Sequence, residues 1–229
     1  MPMMSEALTR SLNLQWFPVA MAFMSEPPAG LSRIDRPLPA GCAYWKHASE
    51  GHQFYTLPED HHNCTVGAFT HGVTLPEAKA HELKSIVGTM IQLQYLRDDE
   101  VATIPHRCEP FSIAAYAPLG DAPFPPDVVI VRGNPRQLML VSEATRAAGL
   151  FEAGATLGRP ACSMIPHAID SGFGVASFGC IGNRVYAELG DDELYVTIPG
   201  QGLSGTLAKL ETILAANTEL EAFHRQRLL

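Results

Sequence analysis

No cluster of lysine or arginine stands anywhere in this sequence, whose 229 residues carry 16 basic against 24 acidic side chains and a formal charge of −8. A nucleic-acid groove needs clustered cations to displace phosphate counterions, so the composition argues against such a partner. No apolar segment approaches the 18 or more residues that span a bilayer, so no membrane partner is expected. The opening MPMMSEALTRSLNLQWFPVAMAFM has no basic region ahead of its apolar stretch, and Pro18 interrupts that stretch. It does not read as a signal peptide, and the expected location is cytoplasmic. Three common catalytic signatures are also missing: a P-loop, a nucleophile-elbow serine and a zinc-protease helix. Gly172-Phe-Gly174 lacks the third glycine of a dinucleotide fingerprint, and no strand clearly precedes it. Charge is scarce, at 17% of residues against 46% hydrophobic, which describes a packed globular chain and not a disordered one.

What the chain does have is five cysteines, an odd number without an export signal. Cytosolic thiols stay reduced, so a disulfide framework is not expected, and metal binding or catalysis gains weight beside simple burial. Four of the five fall in two segments that echo each other. Cys42 and Cys162 are each followed by His and Ala five and six residues on (His47-Ala48, His167-Ala168), then by an acid (Glu50, Asp170) and a glycine (Gly51, Gly172). Each segment closes on a second cysteine with a glycine soon after (Cys64 and Gly67, Cys180 and Gly182). The echo reads as a degenerate duplication that sets four cysteines around one pseudo-two-fold axis.

Periodicity and punctuation divide the chain. A short amphipathic helix is expected over residues 3–14 and a buried strand over 18–24, followed by a proline- and glycine-rich loop to Gly41. Pro58 to Asn63 reads as a turn inside a window, Cys42 to His71, that holds five of the nine histidines. A helix follows from Pro76 to about Tyr95, then strands at 111–117 and 127–131. Asn134 caps and Gly149 stops a second clear helix. A strand at 175–178 leads into a hairpin, 184–189 with 193–198, and C-terminal helices cover 203–228. The beat of a doubly wound sheet is missing. The expected fold is therefore α+β: a mixed, largely antiparallel sheet with helices packed on it. It forms one domain, 1–229, of two pseudo-symmetric halves, about 15–110 and 111–200.

Gly41-Cys42-Ala-Tyr-Trp-Lys-His-Ala48, Tyr55-Thr-Leu-Pro-Glu-Asp-His-His-Asn-Cys64 and Gly179-Cys-Ile-Gly-Asn-Arg-Val-Tyr186 together carry a resemblance. So do Pro27-Pro28, Gly133-Asn-Pro135-Arg-Gln137-Leu-Met139 and Leu189-Gly-Asp-Asp-Glu-Leu-Tyr-Val196. The chain resembles the archaeal and bacterial family known as domain of unknown function 169, or ArCR, from about Pro18 to Gly200. The resemblance implies no activity. It does imply that Cys42, Cys64, Cys162 and Cys180 lie in family motifs, whereas Cys108 does not.

Four thiolates suit an iron–sulfur cluster, such as 4Fe–4S, or a structural zinc. The spacings, 21 and 17 intervening residues, match no local ligand loop, so tertiary structure would assemble the site. The leading expectation is a cytosolic iron–sulfur or metal-binding protein with Cys42, Cys64, Cys162 and Cys180 as ligands, acting by redox or Lewis-acid chemistry. Its partner is then a small-molecule substrate or a redox partner, and a homo-oligomer is compatible. His61 and His62 are candidates for acid–base work, with Glu59 orienting a ring nitrogen. Gly182, Asn183 and Arg184 are candidates for binding a cofactor or an anion, against the plainer reading of a tight bend. Two alternatives stay open: a metal-free cysteine enzyme using Cys64 or Cys180, and a small-molecule-binding module whose cysteines merely pack.

Overall fold

The computed structural model describes residues 2–157 and 160–228. In chain order it runs α1 (Pro2–Leu12), β1 (Val19–Met24), α2 (Gly41–Ser49), β2 (Phe54–Thr56), α3 (Thr65–Thr70), α4 (Glu77–Gln92) and α5 (Asp98–Val101). It continues with β3 (Ile113–Pro118), β4 (Val128–Gly133), α6 (Pro135–Ala147), β5 (Phe151–Thr156), α7 (Met164–Ser171), β6 (Gly174–Ser177), α8 (Ile181–Tyr186), β7 (Leu194–Pro199) and α9 (Leu203–Gln226). Short 3₁₀ turns at Pro58–His61 and Ala161–Ser163 precede α3 and α7.

The strands form one sheet in the order β2-β3-β1-β4-β7-β6-β5. Every pairing is antiparallel except that of β5 with β6, so the fold is α+β with a mixed, mostly antiparallel sheet. Both faces are covered, and the strand residues alternate between two cores. Ala20, Ala22, Val129, Val131, Val196 and Ile198 pack with α1, α6 and α9, which contribute Leu8, Leu138 and Leu210. Val19, Met21, Val128, Ile130 and Tyr116 pack on the opposite side, with Tyr44 and Trp45 of α2 and Ile165 of α7. Burial on both faces explains why β4 reads as an unbroken apolar run and not as an alternating one.

Local rules set several boundaries. Asn134 Oδ1 accepts from the Gln137 N–H at 3.0 Å, Gln137 Oε1 accepts from the Asn134 N–H at 2.9 Å, and Pro135 opens α6. Gly174 is required where β6 meets β7, because a Cβ there would stand 2.2 Å from the Thr197 carbonyl oxygen.

One expectation is corrected. Residues 184–189 are not the first strand of a hairpin. Ile181–Tyr186 is a helix, closed at its start by the Cys180 N–H donating to Asn183 Oδ1 at 2.8 Å. Side-chain-to-backbone bonds win there over the alternating pattern. The β7 strand pairs instead with β4 and β6. The proposed halves also share the sheet unequally: among the described residues, 15–110 supplies β1 and β2, and 111–200 supplies the other five strands.

Candidate functional site

On the α2 and α7 side of the sheet lies a cavity of about 430 Å³. Four elements bring a cysteine to it. Cys42 stands in the first turn of α2, Cys64 caps α3, Cys162 lies in the 3₁₀ turn before α7, and Cys180 caps α8. The roof is α4, whose Leu83, Ile86, Val87 and Met90 line the space, and Ile181 and Val185 of α8 line its rim. No residue of α4 is buried. Its apolar stripe therefore faces the cavity instead of closing a core.

The thiols differ. Cys64 Sγ accepts the Gly67 N–H at 3.3 Å, and the Cys42 thiol donates to the Gly182 carbonyl at 3.8 Å. Burial pushes the Cys42 thiol up to about 12, with the neighbouring Cys64 and Cys180 adding to the effect. Burial likewise raises Cys162 well above its ordinary value, Cys64 again contributing. Both are neutral thiols at physiological pH. Cys108 is exposed and does not line the cavity.

The iron–sulfur and zinc expectation is overturned. Among the described residues, no group of three or more His, Cys, Asp or Glu side chains is placed to hold a metal ion. All five cysteines are also unpaired. Cys42, Cys64, Cys162 and Cys180 share a cavity but not a coordination centre: they sit on separate elements around its wall, and two of the sulfurs are engaged by neighbouring backbone.

Residues 59–62 face elsewhere, whereas Asn63 and Cys64 of the same turn line the cavity. Glu59 and Asp60 pair with Arg33, Asp60 through bonds of 3.1 and 2.7 Å, and Asp60 also accepts the Leu57 N–H. His61 is fully buried, with Nε2 at 2.8 Å from Thr56 Oγ1, among Tyr44, Phe111 and His71. Burial lowers it to about 4. His62 is half-buried, and none of Glu59, His61 and His62 lines the cavity. Gly182 and Asn183 do line it. Arg184 spends its donors on the carbonyls of Phe178, Leu189 and Gly190, which fixes the chain around α8.

Sequence reasoning missed two parts of this region. One is the apolar roof, because a stripe such as Leu83, Ile86, Val87 and Met90 looks the same over a core or a void. The other is His71, fully buried with neither ring nitrogen hydrogen-bonded among the described residues. A Cβ added at Gly41, which lines the cavity, would stand 3.9 Å from His71 Cε1, so the ring lies directly behind that wall. Nothing local in the sequence marks it.

Comparison with known proteins agrees with the motifs. The family model described as uncharacterised ArCR, domain of unknown function 169, matches residues 7–208. No curated protein and no solved structure matches the chain.

Proposed function

The chain belongs to the ArCR family, domain of unknown function 169, and from that premise we propose that it is a binding protein for a small apolar molecule held in the cavity beneath α4. The observation that carries this reading is the cavity itself. It measures about 430 Å³, is walled by Leu83, Ile86, Val87, Met90 and Ile181, and has four thiols on its surface. That volume falls in the range of small-molecule sites, roughly 300–1,000 Å³, which are mostly apolar with a few placed polar groups. Asn63, Thr65 and Asn183 supply polar groups here. A cytoplasmic setting belongs to the same reading, since it keeps thiols reduced and the five cysteines are unpaired.

Alkylation mapping tests it. The chain is treated with a thiol reagent alone and with saturating 1-dodecanol or N-phenyl-1-naphthylamine, and modification is followed at each cysteine by mass spectrometry. At least one probe is expected to slow modification of Cys64 and Cys180 several-fold while Cys108, exposed and off the cavity, reacts as before. Unchanged rates at every cysteine with both probes would refute the reading.

A further inference from the structure

We propose that the ligand of this cavity is an uncharged aromatic molecule, recognised by sulfur. The inference rests on the binding reading above and names its substrate class. Five sulfur atoms belong to the lining residues: those of Cys42, Cys64, Cys162, Cys180 and Met90. Sulfur is polarizable and packs favourably against ring edges and faces. Three rings, those of Phe69, Tyr95 and Tyr186, also line the space among the described residues. A flat ring in the space would pack against these sulfurs and against the lining rings together.

Charge is argued from the groups already present. Glu82 is the one charged side chain among the described lining residues, and its carboxylate is taken up by Lys79 at 2.7 Å. Neither sign of ligand charge finds a free partner there. At two points of the wall burial also disfavours charge, since it holds the Cys42 and Cys162 thiols in their neutral form. A carboxylate or sulfonate drawn into the same space loses its hydration in the same way and gains no cation. Asn63 and Asn183 lie on the wall, but the Asn183 side-chain oxygen already accepts the Cys180 N–H. A hydroxyl, ether or amine on the ring system suits such a wall, and an ionised group does not.

The experiment compares N-phenyl-1-naphthylamine with 8-anilinonaphthalene-1-sulfonate, the same ring system without and with an anionic group. Binding is read by probe fluorescence on the full chain, and 1-dodecanol serves as an aliphatic competitor. The neutral aromatic probe is expected to bind at least tenfold more tightly than its sulfonate and more tightly than 1-dodecanol displaces it. A Val87→Trp variant locates the site. The added indole fills the cavity from α4, where no residue is buried. It is expected to weaken the neutral probe at least tenfold while leaving the melting temperature unchanged. Equal or tighter binding of the sulfonate, or tighter binding of 1-dodecanol, overturns the ligand class. If cysteine protection by 1-dodecanol persists in that case, the binding reading survives. Undiminished binding of the neutral probe to Val87→Trp places it outside the cavity and overturns the assignment.

Discussion

The helices α6 and α4 are similar in length, 13 and 16 residues, and each presents an apolar stripe, yet they do opposite work. Leu138, Leu140, Val141 and Ala144 of α6 are buried between the sheet and α9. On α4 the residues at the same helical spacing end at a cavity, and none is buried. The difference teaches that an amphipathic pattern records where a helix faces inward, not whether anything fills the space it faces. One side of the sheet is a packed core that holds the fold. The other combines a core beneath α2 and α7 with a space left open.

The largest expected consequence lies in the packed region. Leu138 is 1% exposed, and Leu138→Ala would leave a void among neighbours held by the sheet and α9. Substitutions of this kind cost about 3–5 kcal/mol, the lost transfer energy plus the residual cavity. Urea unfolding is expected to show a loss in that range with probe binding preserved at low denaturant. A loss below about 1 kcal/mol would show that the α6 side is as loosely packed as the α4 side.

The second expectation concerns the buried histidines on the cavity side, His61 and His71, packed with Tyr44, Phe23 and Phe111. An unfolded histidine titrates near 6.5, whereas burial lowers folded His61 to about 4 and lowers His71 in the same direction, with Arg107 and His61 adding to the shift of His71. Above pH 6.5 neither state binds the proton, and the term vanishes. As pH falls from 6.5 toward 4 the unfolded chain takes up protons that the folded chain refuses, so stability is lost on acidification. At 1.36 kcal/mol per unit, His61 alone contributes a loss of about 3 kcal/mol across that window. Unfolding free energies measured from pH 7 to 4 are expected to fall accordingly, and His61→Gln should flatten the slope. An unchanged slope in that variant would show that His61 is not the group responsible.

What the sequence made legible follows from how local each determinant is. The α6 boundaries could be read because the Asn134 and Gln137 cap bonds span three residues. The burial of β4 on both faces left a continuous Val128–Val131 run, and the strand was equally plain. The helix α8 was misread because Arg184 to Leu189 alternates like a strand, while the bonds that bend it depend on Asn183 and on carbonyls reached only after folding. The echo of Cys42 and Cys64 by Cys162 and Cys180 pointed to residues that do line one cavity, from four separate elements. It misled on chemistry, because spacing along the chain carries no information on whether sulfurs converge or merely surround a space. His61 and His62 looked like proton donors beside a cysteine. The packing of Tyr44 and Thr56 around His61 is set by distant segments and turns that ring into the core.

The smallest effect sharpens the comparison most. Val87 lines the cavity, half-buried, from a helix with no fully buried residue, so Val87→Ala removes methyl groups that have few packing partners on the cavity side. A side chain facing a void lacks the dispersion contacts that make core truncations costly, and the expected loss is below about 1 kcal/mol, against several for Leu138→Ala. A ligand in the cavity changes that balance, because its atoms would occupy the space and contact Val87. The same truncation should then weaken N-phenyl-1-naphthylamine about threefold while the melting temperature of the free chain stays within about 1 °C of wild type, a shift well under that of a 1 kcal/mol change. Measuring both quantities on one variant separates the two roles a helix stripe can have. A clear drop in the free chain's melting temperature with no change in probe affinity would make α4 a structural helix like α6, and the contrast between the two regions would collapse.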